Sequence, residues 1–183
     1  AGTAVVLGIT HQVTKDVRYQ AGVQEILALI ARAAKPIGGG VEWNDSTDII
    51  SGSTGIGLTL LALGDENRKI DSRKLAADAG NRLIERAQSS DQGLSWLIQP
   101  GMPRNYPNFS HGTAGVSFYL ATLSTVSKRK EHLDAALAGE RWLRSLMTRT
   151  PGGGRMVYHS APGNEQIFYL SWCHGPAGTA RLY

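Results

Sequence analysis

Three Gly-x-x-Gly steps, beginning at Gly52, Gly112 and Gly175, each open an apolar run in this chain of 183 residues. The runs are SGSTGIGLTLLAL (51–63), SHGTAGVSFYLATL (110–123) and CHGPAGTARLY (173–183), set at intervals of 60 and 63 residues. A period that regular marks a repeat architecture, in which each unit buries its apolar face on a neighbour. Each interval has one internal order. An amphipathic segment comes first, predicted helical over Val17–Ala34, Asp71–Ala87 and Glu131–Thr148. In the second, Leu75, Ala76, Ala79, Leu83, Ile84 and Ala87 keep the i, i+3, i+4 spacing of one helical face; in the third, Leu133, Ala136, Leu137, Trp142, Leu143 and Leu146 do the same. Glycine-marked turns end these helices (Gly38–Gly40, Gly152–Gly154), an aromatic residue follows (Trp43, Trp96, Tyr158), and an irregular stretch leads to the glycine step.

The helix after each step is rich in Gly, Ala, Thr and Leu and nearly uncharged, so it should be buried on most faces. Exposed helices alternating with buried ones predict an all-α fold, an α/α toroid whose outer helices sheathe an inner ring. The expected organisation is a single partial domain over 1–183, with repeats near 17–64, 71–125 and 131–183 and an open, incomplete ring. Strand-like pattern is confined to short runs such as Arg155–His159. If the inner helices run in parallel, their N-termini and the residues just before them, Asp48, His111, Cys173 and His174, meet at one mouth of the ring. The glycines then serve either close approach of a ligand to the helix N-termini or tight packing of backbone alone.

Composition narrows the classes. A hydrophobic fraction of 42% and a charged fraction of 19% are those of a globular protein. No apolar run approaches the ~18 residues needed to cross a bilayer, so no membrane association is expected. AGTAVVLGIT at the start is apolar but short and lacks preceding basic residues, unlike an intact signal peptide. The formal charge is +4, and its one tight cluster, Lys128, Arg129 and Lys130, reads as a solvated loop before a helix rather than a nucleic-acid footprint. Cytoplasmic residence is the expectation; a single cysteine excludes an internal disulfide framework but does not fix the compartment.

Residue types alone leave the candidate site open. Cys173 reads as a small buried hydrophobe, a metal ligand or a nucleophile activated by a helix N-terminus and His174. His111 reads as a helix cap or as an imidazole able to donate a proton near neutrality. Asp48 reads equally as a turn cap beside Asp45, Ser46 and Thr47 or as a functional carboxylate. His11, His132 and His159 lack motif context and are expected on the surface or in loops. Trp43, Trp96 and Tyr158 are expected to pack between the two rings.

NFSHGTAGVSFYL and SWCHGPAG resemble the repeat motifs of the lanthionine synthetase C-like family, and TDIISGSTGIGLTLL resembles an earlier repeat of that family. The resemblance spans about Asp45 to Tyr183 and implies an α/α toroid that binds one zinc ion through two Cys and one His. It implies addition of a cysteine thiol to a dehydroamino acid, forming a thioether. By position, Cys173 matches the first zinc cysteine, His111 the histidine that protonates the enolate, and Asp48 an aspartate near the metal. His174 stands where the family has Tyr or His beside the metal, a substrate-facing place. The other two zinc ligands belong to a following repeat that these residues do not include, and Tyr169 stands where the family often has Arg. The chain is thus expected to be the N-terminal half of such a cyclase, inactive alone. A peptide or small thiol is the implied substrate, and another chain or segment would complete the toroid. Two other readings are a non-catalytic toroid that binds a peptide or thiol, and a carbohydrate-active α/α-barrel enzyme, which would call for paired carboxylates where Asp48 stands nearly alone.

Overall fold

Two kinds of helix alternate along the chain. The computed structural model describes residues 1–67 and 69–183. Seven α-helices lie among them: α1 (Gly2–Thr14), α2 (Val17–Ala33), α3 (Ser53–Leu63), α4 (Ser72–Glu85), α5 (Thr113–Ser127), α6 (Lys130–Ser145) and the short α7 (Pro176–Thr179), which runs on into a 3₁₀ turn over Ala180–Leu182. α2, α4 and α6 are the amphipathic helices the spacing predicts, and their starts and ends fall within a few residues of the expected ones. α3 and α5 begin one residue after Gly52 and Gly112, and α7 one residue after Gly175. The fold is all-α, with inner helices α1, α3, α5 and α7 and outer helices α2, α4 and α6. No helix among the described residues is long and apolar enough to cross a membrane.

Pairing runs from each inner helix to the outer helix that follows it, α1 with α2, α3 with α4 and α5 with α6. α1 is a full inner helix made from the apolar opening segment, with Ala4 and Gly8 buried and Gly8 seated against Leu63 of α3. The core lies between the layers, on Val23 and Leu27 of α2, Leu60 of α3, Ala76 and Leu83 of α4, Trp96, and Tyr119, Leu120 and Leu123 of α5. The basic cluster sits in the exposed α5–α6 junction. There Lys128 ends α5 in a left-handed conformation, while Arg129 and Lys130 pair with Glu131 and Asp134.

Strand content exceeds the expectation. A two-stranded antiparallel hairpin follows every outer helix: β1 (Lys35–Ile37) with β2 (Gly40–Glu42), β3 (Gln88–Ser90) with β4 (Gly93–Ser95), and β5 (Met147–Thr150) with β6 (Gly153–Met156). Each is closed by two residues, too short a run to show alternation in sequence. The expected strand at Arg155–His159 ends at Met156. The hairpins also correct the aromatic register. Trp43 and Trp96 each follow their hairpin directly and donate the indole N–H to the carbonyl of the residue thirteen earlier, Ile30 and Leu83, both at 2.7 Å. The equivalent residue of the third unit is Met156, which packs beside Leu143, and not Tyr158.

The glycine steps owe their form to the loops before them. A methyl group on Gly55, Gly115 or Gly178 would run into the carbonyl of Ile49, Phe109 or Trp172 respectively, each six residues earlier. Gly52, Gly112 and Gly175 face Ser46, Tyr106 and Tyr169 in the same way. The N–H groups of Ser53, Thr54 and Gly55 donate to carbonyls seven residues back, as do those of Thr113 and Ala114. The first donors of α3 and α5 are thus satisfied by the chain's own backbone, so close packing of backbone accounts for the glycines there. Gly115→Ala is expected to cost about 1–3 kcal/mol through overpacking. Gly152→Ala, with nothing within 4 Å of the added carbon, should leave thermal unfolding within error, and the pair of melting curves checks this.

Two histidines expected on the surface or in loops are buried, His132 within α6 and His159 in the loop after β6. His132 is fully buried, its Nδ1 2.9 Å from the Ser127 hydroxyl and its Nε2 3.2 Å from Asn81 Oδ1. Asn81 Oδ1 only accepts, so Nε2 carries the hydrogen and Nδ1 accepts from Ser127. His159 is 4% exposed, with Arg104 at 2.9 Å. His11 is half-buried and donates from Nδ1 to the Asp16 carbonyl. Burial, and then the neighbouring Arg129, hold the His132 imidazole below its ordinary 6.5; burial and Arg104 do the same for His159. The unfolded chain therefore binds protons more tightly at both positions. Their contribution is fully present above about pH 6.5 and is lost as the pH falls through the folded-state values. The urea midpoint should drop between pH 7 and pH 5, and His132→Gln should flatten that drop.

Candidate functional site

The three loops before the inner helices are built alike, and that likeness assembles the site. Four residues before each first glycine stand Asp48, Asn108 and Ser171. Each caps the backbone N–H directly before the glycine. Ser51 N–H donates to Asp48 Oδ1 at 2.8 Å, His111 N–H to Asn108 Oδ1 at 3.4 Å, and His174 N–H to Ser171 Oγ at 3.3 Å. The loops are then laced side by side. Ile49 N–H donates to the Ser110 carbonyl at 3.1 Å, and Ser110 donates to the Cys173 carbonyl through its N–H at 3.2 Å and its hydroxyl at 2.8 Å. Asp48, His111, Cys173 and His174, more than a hundred residues apart at the extremes, come together on this lacing.

Asp48 is the best-determined member. Its side chain is 1% exposed, against 31% for His111. Oδ1 accepts from the Ser51 N–H, the Ser51 hydroxyl at 3.1 Å and the Ser46 hydroxyl at 3.3 Å, while Oδ2 lies 2.6 Å from His111 Nδ1. Asp48 is thus both a turn cap and the partner of a histidine. A carboxylate only accepts, so Nδ1 of His111 carries a hydrogen and Nε2 is the atom left for chemistry. A buried carboxylate fixing the tautomer and orientation of a partly exposed imidazole is an arrangement suited to proton transfer.

His174 stacks on His111 with ring centres 5.5 Å apart and planes 29° from parallel. Tyr158 meets it edge-on at 4.8 Å, and Tyr169 stands 6.0 Å away. Its Nδ1 is buried without a hydrogen-bond partner, which suits a neutral ring protonated on Nε2. Burial and the adjacent His111 both hold its titration below the usual histidine range. Tyr158 touches Tyr106, His159 and Tyr169 as well, and burial and its phenolic neighbours push it above the ordinary tyrosine value. Tyr106, Tyr158 and Tyr169 form an aromatic wall beside His174, of which Tyr106 was singled out by no motif and Tyr158 was expected only to pack between the rings. A weak signal existed: three of the six tyrosines lie in the irregular stretches before the second and third glycine steps.

The donor set can be weighed against zinc. A catalytic zinc site takes three protein ligands and leaves a fourth position open. Cys173, free and half-buried, supplies one soft donor. His111 is committed through Nδ1 to Asp48, and His174 is turned with Nδ1 into the protein. No three His, Cys, Asp or Glu side chains converge as a ligand set among the described residues. These residues do not make a zinc site by themselves.

Comparison with curated proteins returned no match. The family described as lanthionine synthetase C-like protein matches residues 1–183, which includes the first forty residues where the sequence motifs are weakest. With two layers of helices, a glycine step before each of α3, α5 and α7 and Trp-Cys-His-Gly at the last of these, the chain belongs to the lanthionine synthetase C-like family.

Proposed function

We propose that this chain is the acid-donating part of a cyclase that adds a cysteine thiol to a dehydroamino acid and forms a thioether. The observation that carries the reading is the 2.6 Å contact between buried Asp48 and His111, which leaves His111 Nε2 for chemistry on a ring stacked against His174. In the addition, a thiolate sulfur bonds to the β-carbon of the dehydroamino acid as the carbon–carbon π bond breaks. The electron pair moves to the α-carbon and its carbonyl as an enolate, and His111 in its imidazolium form returns a proton to the α-carbon. Asp48 keeps Nδ1 protonated throughout, so the transferable proton sits on Nε2. The stacked His174, itself met edge-on by Tyr158, covers one face of His111 and helps exclude water from it.

On this reading zinc is the cofactor, a Lewis acid that stabilises thiolate at neutral pH. Cys173 contributes one ligand and the remaining ligands come from outside these 183 residues. Metal analysis of the protein carrying its full ligand set tests this. Stoichiometric zinc is expected in the wild type and a loss of most of it in Cys173→Ala. A wild type without zinc would leave a toroid that binds a peptide or thiol without chemistry. One observation favours that second reading: Tyr169, packed 4.7 Å from Tyr158, occupies the place where the resemblance calls for a cation.

A further inference from the structure

The loops between the hairpins and the inner helices lengthen along the chain. Trp43 stands nine residues before Gly52, Trp96 sixteen before Gly112 and Met156 nineteen before Gly175. The longer second and third loops carry Arg104, Tyr106, Tyr158 and His159. A reciprocal pair fixes these two loops against each other: Asn105 N–H donates to Ser160 Oγ at 3.0 Å, and Ser160 N–H to the Asn105 carbonyl at 2.9 Å. The residues just before that pair, Arg104 and His159, are held face to face, with Arg104 Nη1 2.9 Å from His159 Nε2.

That contact is short of an acceptor. His159 is buried, and its Nδ1 lies 3.2 Å from the Ala161 N–H. A backbone N–H only donates, so Nδ1 accepts and Nε2 carries the hydrogen of the neutral ring. A guanidinium also only donates, so Nε2–H and Arg104 meet as two donors. Arg104 Nε is buried with no hydrogen-bond partner, and no Asp or Glu pairs with Arg104 among the described residues. Buried donors left in this way are costly unless an acceptor reaches them.

The geometry points to a carboxylate-binding subsite at Arg104 and His159, in which the ligand's two oxygens accept from the guanidinium fork and from His159 Nε2–H. One guanidinium beside a neutral imidazole balances one negative charge. A carboxylate therefore fits, whereas a phosphate dianion brings a second charge with nothing to pair it. The rings of Tyr106 and Tyr158, centred 5.8 and 5.2 Å from that of His159, wall the place. Tyr158 also meets His174 at 4.8 Å, and His174 stacks on His111. The subsite thus lies one aromatic ring from the histidine pair, and on the thioether-forming reading above it anchors an acidic group of the peptide or thiol substrate.

The test titrates the full chain with N-acetylglycine and, as a match lacking the charge, N-acetylglycinamide, at constant ionic strength and about pH 8, where histidines are neutral. The His159 ring nitrogens, assigned with His159→Gln, are followed by NMR. In the free protein the hydrogen is expected on Nε2. N-acetylglycine should shift the Nε2 signal saturably and the amide should not, and Arg104→Gln should weaken binding about tenfold or more with circular dichroism unchanged. The comparison of acid with amide in the wild type stands whether or not that variant folds. Hydrogen on Nδ1 in the free protein, equal shifts with the amide, undiminished binding by folded Arg104→Gln, or tighter binding of inorganic phosphate would overturn the proposal. Saturable binding by a protein that adds no thiol would remove the cyclase and leave the subsite, whereas thiol addition without carboxylate-dependent binding would remove the subsite alone.

Discussion

Asp48→Asn is expected to slow thiol addition by about 10²–10⁴-fold in the protein with its full ligand set, the range that removal of a positioned acid or of its orienting carboxylate spans elsewhere. The replacement keeps shape and keeps an acceptor for the Ser51 N–H, so the helix start survives. It replaces an acceptor-only group with one that can donate, and His111 then loses the contact that holds hydrogen on Nδ1. His111→Gln should cost a similar factor, because each change disables the same proton transfer. The two act as a unit, so the double variant should be scarcely slower than either single one. Multiplicative losses would show that Asp48 and His111 serve separate steps. Asp48→Ala differs: it orphans buried donors from Ser46 and Ser51 and should also cost about 1–3 kcal/mol of stability.

The largest effect on stability is expected at Trp96. Its side chain is completely buried, its indole N–H is bonded to the Leu83 carbonyl, and Gly139 of α6 lies against the ring. It therefore joins α4, the second hairpin and α6 in a single contact set. Trp96→Ala should cost about 3–5 kcal/mol, from lost transfer energy and the cavity left behind. At about 2–4 °C per kcal/mol for a chain of this size, that lowers the melting temperature by roughly 6–20 °C. Trp96→Phe keeps most of the packing and removes one of two donors to the Leu83 carbonyl, which still accepts from the Arg86 N–H at 3.2 Å, for about 0.5–1.5 kcal/mol. Trp43→Ala should cost less than Trp96→Ala, since the Trp43 ring is only half-buried. Equal losses at the two tryptophans would contradict the packing order described here.

What the sequence showed depended on length scale. The 60-residue period, the outer helices and the three inner-helix starts were legible because glycine steps and helical spacing repeat over many residues. The hairpins were not, since strands of three or four residues closed by two are too brief for periodicity. Tyr158 was misaligned with Trp43 and Trp96 for the same reason: the hairpin, invisible in sequence, sets the register, and it selects Met156. α1 was legible as an apolar segment but not as a helix of the inner ring, because no glycine step precedes it. At the site, the meeting of Asp48, His111, Cys173 and His174 followed from repeat position alone. The Asp48–His111 contact and the stacking of His174 did not, because they depend on loops laced through backbone groups that carry no sequence signature. His132 was misplaced because a lone histidine in a polar stretch gives no sign of the Ser127 and Asn81 that receive it, and the burial of His159 in its loop beside Arg104 was hidden for the same reason.

The central claim, that His111 delivers the proton to one face of the enolate, is tested most directly by the configuration at the product α-carbon. A thiol and a dehydroalanine peptide would be combined with the zinc-loaded protein carrying its full ligand set, in D₂O, and the two α-carbon epimers separated and counted. The wild type should give one deuterated epimer. His111→Gln should give both, at a rate close to that of the uncatalysed addition. A single epimer formed by His111→Gln at an undiminished rate would contradict the account.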